Sequence, residues 1–545
     1  MSDENHQSSF DSPLKIDNVT LNEKLRVWYP TTVEELSEVT ATLRLAQEDI
    51  ADCDTESDHP MSSRREELIL CAEKLSRLLS PIRRVPNEIL CQIFLYSCGE
   101  NDMNNERPAA LIISSVCTRF RELAISYPAL WSNLKVFFPA GEVYDFDTGE
   151  IIQNPLEVLE QETKLSSLIQ LHLDRSKNHP LALDLDIAGR VSPPEHPSVQ
   201  LLTRESSRWK YLVFRGIAFD MDHGRLSFPS LESVDFDRGL VAWRTDTPEE
   251  FLLAPNINDL RFHNEIANNR VLKFSDTWKS LVHLKYPTTP SFSSFWRVLE
   301  LCPMLGSLTL EGWNTGRITI PSHLPRTLPT LSSLTVINNG FDELGDSLQC
   351  ILSLLTTPNL SELVLEQTNE ETVDCPRQPF PHIYQFFERS QLRSLTRLVM
   401  HGLYISGHDM VELLLKVPSL QILSIHPDLI NGMANPISKS FIESLHAGRR
   451  SAFRDSVEPL VPKLRELTLK VTAQRFDPPS FVDTIASRWL PDETSARELG
   501  LVCLRSVELH LPGPVDAKPY ERLKQFDRAG LRVTVKCKGV DGYIV

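Results

Sequence analysis

Glycine is scarce in this chain, at 21 of 545 residues. Loops that cradle phosphate need closely spaced glycines, and neither G-x-x-x-x-G-K-[ST] nor G-x-G-x-x-G after a strand pattern occurs. H-E-x-x-H and G-x-S-x-G are missing too, which removes the familiar zinc-protease and serine-hydrolase signatures. The ten cysteines (53, 71, 91, 98, 117, 302, 350, 375, 503 and 537) contain no C-x-x-C and keep no regular spacing. That argues against a disulfide framework or a zinc module and for buried thiols in a reducing compartment. Basic residues are outnumbered by acidic ones, 56 to 73, giving a net charge of −17 and a pI of about 5.4. Nucleic acid and anionic membranes are bound by pairing phosphate with Lys and Arg, so neither is expected as the main partner. No apolar run approaches the ~18 residues that would span a bilayer. Met1 to Lys15 have neither the basic start nor the apolar run of a secretory signal. The expected location is cytoplasmic, nuclear or both.

The 15 histidines are scattered, and His401 and His426, just after strand patterns, are expected at the surface rather than on a metal. Asp52, Asp54, Glu56 and Asp58 lack the glycine and closing glutamate of a calcium loop. The sequence names no catalytic residue, no cofactor site and no metal site, and an enzyme is not expected.

Residues 1–29 are polar with few apolar anchors and are expected to be disordered. Residues 30–80 follow as a helical hairpin or weak coiled coil. Thr32-Val33-Glu34-Glu35 is a capped helix start, and Val33, Leu36, Leu43 and Ile50 give an amphipathic helix. The acidic run Asp49 to Asp58 and Pro60 interrupt it. Leu68, Cys71, Leu75, Leu78 and Ile82 then recur at gaps of three and four, a heptad-like seam. So short a seam suits packing on the rest of the chain better than self-association.

Residues 81–136 carry the densest signal. Pro86 fits the first turn of a helix, where its missing N–H costs nothing. Ile89, Leu90, Ile93 and Phe94 then fall along one side of that helix. A second helix, roughly Ala109 to Ser126, carries Ile113, Val116, Cys117, Phe120 and Leu123 before Pro128 stops it, and Trp131 follows. Two short helices this apolar cannot bury all their own surface.

The run Val85-Pro86-Asn87-Glu88-Ile89-Leu90 with Ile93-Phe94, then Val116-Cys117 and Phe120-Arg121-Glu122-Leu123-Ala124, then Leu130-Trp131, resembles the F-box. More narrowly it is similar to the F-box proteins with leucine-rich repeats abundant in mushroom-forming (basidiomycete) fungi. The resemblance covers Ser80 to Val136. Phe120 stands where that family usually has Trp, and Gly99 to Pro108 is a longer polar insertion than its usual turn. The resemblance implies that Pro86, Ile89, Leu90, Ile93, Phe94, Val116, Cys117 and Phe120 form an exposed apolar surface that docks a Skp-type adaptor and, through it, a cullin.

Residues 137–190 form a transition, with a helix over Leu165–Ser176 and an alternating strand over Pro180–Ile187. From 191 to 545 the chain repeats itself. An apolar residue is followed by another three on and a third two further, eleven times, starting at Trp209, Leu231, Ile257, Leu281, Leu305, Leu331, Leu360, Leu395, Leu420, Leu464 and Leu504. Subtracting successive starts gives spacings of 22, 26, 24, 24, 26, 29, 35, 25, 44 and 40, most of them near the period of a leucine-rich repeat. Seven units have Pro two residues before the start (229, 255, 303, 329, 358, 418 and 462). Helices are expected between strands at Phe295–Leu301, Leu344–Leu355, Met410–Leu415, Phe441–Leu445 and Phe481–Trp489. The Asn that usually follows such a strand is matched only at Asn339, and loose insertions are expected at Glu366–Gln378 and Asn431–Ser456.

The expected fold is α/β: an N-terminal helical leader and F-box helices, then an irregular leucine-rich-repeat solenoid with a curved parallel sheet and outer helices. One unit cannot bury its apolar face alone, whereas stacked units form a continuous core and an extended wall. Outward positions on that wall include Ser333, Thr335, Glu362, Val364, Arg397, Val399, Ile422 and Ser424, a mix with no single-sign field. With the resemblance, this points to a substrate-recognition adaptor of a cullin–RING ubiquitin ligase whose repeats hold an unidentified protein substrate. The alternative is a non-degradative interaction scaffold, and a hydrolase hidden in the insertions is a weaker third reading.

Overall fold

The computed structural model describes residues 18–27, 32–55, 61–138, 155–187, 196–216, 226–237, 249–263, 275–288, 293–312, 325–338, 346–367, 380–403, 405–427, 436–450, 452–453, 458–471, 476–513 and 516–537. They fall into two compact units divided at Lys210 and Tyr211, twenty residues beyond the boundary expected from the repeats.

In the first unit, helices α1 (Asn18–Val27), α2 (Val33–Thr55) and α3 (Met61–Leu78) make the leader. α1 lies in the stretch expected to be disordered. It is ordered because Leu21 is buried with Val39, Ala46, Cys71, Leu75 and Leu78 in one small core. The start of α2 is a reciprocal capping box: Glu35 N donates to Thr32 Oγ1 and Thr32 N to Glu35 Oε2, both at 3.2 Å. α2 runs through the first half of the acidic run instead of breaking there. Of the heptad-like seam, Ile82 is exposed and the other members face the core or its margin.

A 3-10 turn (Pro81–Arg84) leads into α4 (Asn87–Cys98), β1 (Asn101–Asp102), α5 (Ala109–Ser115), α6 (Thr118–Ser126), a second 3-10 turn (Pro128–Trp131) and β2 (Asn133–Phe137). α7 (Pro155–Ser176), β3 (Leu181–Ile187) and α8 (Pro197–Arg204) complete the unit. The expected single helix from Ala109 to Ser126 is two. Cys117 takes an extended φ of −158° and acts as N-cap, its Sγ accepting from Phe120 N, so the chain turns there. The polar insertion Gly99 to Pro108 is built into the fold: β1 pairs with β2, and β2 with β3, all parallel. Trp131, Leu134 and Val136 follow the same three-then-two spacing as the later repeats, so a strand of repeat type lies inside the stretch that reads as F-box.

The second unit holds β4 (Trp209–Gly216, from Tyr211 onward), β5 (Ser233–Asp237), β6 (Asp259–Phe262), β7 (His283–Thr288), β8 (Ser307–Gly312), β9 (Arg326–Thr327), β10 (Ser333–Asn338), β11 (Leu355–Thr356), β12 (Glu362–Gln367), β13 (Arg397–His401), β14 (Ile422–His426), β15 (Glu466–Lys470), β16 (Ser506–Leu511) and β17 (Arg532–Cys537). From β4 on, β9 and β11 excepted, each strand pairs in parallel with the next, residue for residue. β9 and β11 form a separate parallel pair. Fifteen strands thus join long parallel ladders, three in the first unit and twelve in the second. All eleven unit-opening residues are buried. So is every inward residue after them except Phe236, which is half-buried. β17 was not legible as a repeat because Leu531, Val533 and Val535 alternate without the opening three-residue step.

Asn339 lies outside the described residues, as do most of 366–378 and part of 431–456. The turns are satisfied on the other side of the strand. Asn256, Thr330 and Asn359, each following a unit's proline, donate to the carbonyls of Pro229, Pro303 and Pro329 in the preceding unit at 2.6, 3.2 and 2.9 Å. The expected helices are present as Ser293–Leu301, Asp346–Leu354, Gly407–Leu415, Lys439–Ser444 and Pro478–Arg488. A further helix, Phe380–Ser390, buries Ile383, Phe386 and Phe387 at helical spacing.

Arginines pin the helix ends. Arg389 Nη2 donates to Leu355 O at 2.7 Å and to Leu352 O at 2.5 Å, where the helix Asp346–Leu354 ends. In the first unit Arg208 reaches Ser176 Oγ and His179 O, each at 2.9 Å, at the end of α7. Helix C-termini leave carbonyls without partners and carry partial negative charge, so a guanidinium fork satisfies both needs.

Candidate functional site

α4 has two faces. Leu90, Phe94 and Cys98 recur every four residues and are buried with Ala110, Ala124, Leu130 and Trp131. Phe120 is half-buried and its ring lies 4.7 Å from that of Phe94. Ile89 and Ile93, one residue behind the buried series, are 51% and 40% exposed, and Tyr96 continues their face. The expectation of one exposed surface is therefore corrected at Leu90 and Phe94. A step of one residue turns a helix by about 100°, so neighbours in sequence face different ways. Pro86 and Val116 are exposed, Val116 at 62%, and Ile112 one turn before it is also exposed. Cys117 is half-buried in its capping role.

Arg119 holds the start of α4. Its Nη1 donates to Arg83 O and its Nη2 to Val85 O, both at 2.8 Å, and its Nε to Asn87 Oδ1 at 3.0 Å. The inserted turn is held by Asn101, which is fully buried. Its Nδ2 donates to Leu130 O at 2.9 Å and Asn133 O at 3.2 Å, and its Oδ1 accepts from Ala110 N at 3.0 Å. Trp131 donates through Nε1 to Ala124 O at 2.6 Å. The exposed apolar face is thus presented on a braced support and not on loose helices.

The proposed wall lines up. Ser333, Glu362, Arg397 and Ile422 share one row across β10, β12, β13 and β14, and Thr335, Val364, Val399 and Ser424 share the next. Arg397 Nε lies 2.9 Å from Glu362 Oε1, and Ser333 Oγ donates to Glu362 Oε2 at 3.2 Å. Val399 is corrected: it stands on the outward row but is only 4% exposed. The other seven are half-buried.

A third outward row was missed, because it lies beyond the three apolar positions that define the repeat. Glu366, His401 and His426 are in register on it. The His401 and His426 rings stack at 4.1 Å with 4° between planes, and His401 Nδ1 is 3.2 Å from Glu366 Oε1. Burial, followed by the neighbouring charges of His401, His510 and Lys470, pushes the His426 imidazole down to about 4. In the earlier repeats the outward rows carry Arg215–Asp237, Arg261–Asp259 and Lys285–Glu311 ion pairs at 2.7, 3.0 and 2.6 Å. The sheet face offers hydrogen-bonding and charged groups already paired with one another, which suits a polar protein surface more than a small apolar ligand.

Among the described residues, no group of three or more His, Cys, Asp or Glu is placed to hold a metal ion, and no helix is long and apolar enough to cross a membrane. No family model matches the chain, and no curated protein matches it. Among solved structures, the yeast Rad7 and Elc1 complex is similar at 16% identity over 85% of this chain and 96% of that chain, with a TM-score of 0.29. A protein from Bacteroides fragilis is similar at 13% identity over 62% of this chain and 76% of that one, also with a TM-score of 0.29. Both likenesses are loose, and the fold stands on this chain's own strand register.

Proposed function

We propose that residues 81–136 act as an F-box that docks a Skp-type adaptor, and that the repeats hold a protein target for a cullin–RING ubiquitin ligase. The observation that carries this reading is the pair Ile89 and Ile93, exposed on one face of α4 while the opposite face is sealed. Exposed branched apolar side chains side by side on a braced helix lower the cost of binding, because little has to be ordered on association. The chain performs no chemistry in this scheme. It raises the local concentration of target lysines beside a charged ubiquitin-conjugating enzyme.

The test is capture of a Skp-type adaptor by the full chain and by an Ile89→Asp, Ile93→Asp double variant. The wild type is expected to retain the adaptor together with a cullin, and the variant to lose both while its helices keep their protection from hydrogen exchange. Failure of the wild type to capture the adaptor, or equal capture by the variant, overturns the reading. Adaptor without cullin favours a non-degradative scaffold.

A further inference from the structure

A cavity of about 850 Å³ at the C-terminal end of the second unit is lined by Arg465, Arg497, Arg505 and Arg532 together with Trp489. No Asp or Glu lines it, in a chain whose net charge is −17. Among the described residues none of the four guanidinium groups has an ion-pair or hydrogen-bond partner. Arg465 Nε is buried and unpartnered. Elsewhere in the unit, by contrast, Arg389 and Arg488 donate to backbone carbonyls. The backbone holds three of the four together: Arg505 N donates to Arg465 O at 2.7 Å and Arg532 N to Arg505 O at 3.0 Å. Like charges brought to adjacent strands repel one another. Gly530, at a φ of +104°, also lines it, and a Cβ added there would lie 4.0 Å from Trp489 Cη2.

We propose that this cavity binds an organic phosphate monoester, the phosphate among the arginines and the organic part against Trp489. A carboxylate offers two acceptor oxygens and one charge. A phosphate monoester offers three terminal oxygens and a charge of about −1.5 to −2, which matches several guanidinium forks at once. The cavity is open to solvent on one side, and its volume falls within the range of clefts that take a small organic ligand. The chemistry that recognises the phosphate is the same for a free metabolite and for a phosphorylated side chain on a protein. The site does not depend on the F-box reading, since every lining residue belongs to the second unit.

The test is calorimetric titration of the full chain with phenyl phosphate, with phenylacetate, and with a short peptide in phosphoserine and unphosphorylated forms. Saturable binding of phenyl phosphate or the phosphopeptide is expected, weakened about tenfold or more by Arg497→Ala with Arg505→Ala. Both arginines are exposed, so the variant should melt with the wild type; Arg505→Glu alone serves if it does not. Tighter binding of the phosphopeptide than of phenyl phosphate assigns a protein source, and the reverse a free organic phosphate. Absence of binding, equal affinity for phenylacetate, or affinity unchanged in both variants overturns the proposal.

Discussion

The indole of Trp131 lies 5.1 Å from the imidazole of His172, centroid to centroid, and the Arg175 guanidinium carbon sits 4.4 Å above the same indole. Trp131 lies within the stretch that reads as F-box and His172 sits on α7, so this contact joins that stretch to α7. Burial pushes the His172 imidazole down to about 4, and Arg175 pushes in the same direction. His172 Nδ1 donates to Leu168 O at 2.8 Å.

A depressed histidine favours the neutral form in the fold, so the unfolded chain binds the extra proton. The stability His172 contributes is present above its ordinary value of 6.5 and is lost as pH falls from there to about 4. The loss amounts to about 3 kcal/mol at most. Urea unfolding of the first unit followed through Trp131 should show this pH dependence in the wild type and much less of it in His172→Phe. Equal slopes would mean that other groups carry the acid response.

The two faces of α4 should separate cleanly. Phe94→Ala is expected to cost about 3–5 kcal/mol and Leu90→Ala about 2–5 kcal/mol, because each leaves a cavity in a sealed core. Ile89→Ala should stay within about 0.5 kcal/mol. Hydrogen exchange of the α4 to α6 amides in the full chain reads all three, and a large effect at Ile89 would place it in the core after all.

Asn101→Leu keeps the volume and removes two donors and an acceptor from Leu130, Asn133 and Ala110. Buried backbone groups left without partners cost about 1–3 kcal/mol each, so the turn should open even though the new side chain is apolar. Faster exchange at Ala110 and along β1 is the expected signature.

Arg488 is fully buried, with Nη1 donating to Val461 O at 3.2 Å and its remaining donors reaching Leu445 O and Leu460 O. Burial pushes its guanidinium down to about 10, which still leaves it charged at neutral pH. Arg488→Lys should recover little of what Arg488→Met loses, because a single ammonium cannot address three carbonyls in a fixed fork. Thermal melting of the two variants decides it: recovery by Lys would assign the role to charge alone.

The period of the repeats was legible because it is a one-dimensional signal. Burying Leu308 and Leu310, or Leu363 and Leu365, on each parallel strand needs only local alternation, and stacking then follows from the apolar face itself. The capping box at Thr32 and Glu35 is local in the same way. What sequence spacing did not supply was the direction each side chain takes once its neighbours arrive. Leu90 and Ile89 differ by one helical step, and only the placement of α5, α6 and Trp131 decides which is covered. Val399 is outward by alternation yet only 4% exposed, and Asn101 reads as part of a polar insertion until partners up to 32 residues away close around it. The four arginines of the C-terminal cavity are spread over 68 positions from Arg465 to Arg532, and they meet only because parallel pairing sets one repeat beside the next. Sequence determined which residues must hide from water; the tertiary structure decided what each meets there, because that depends on chain folded back from far away.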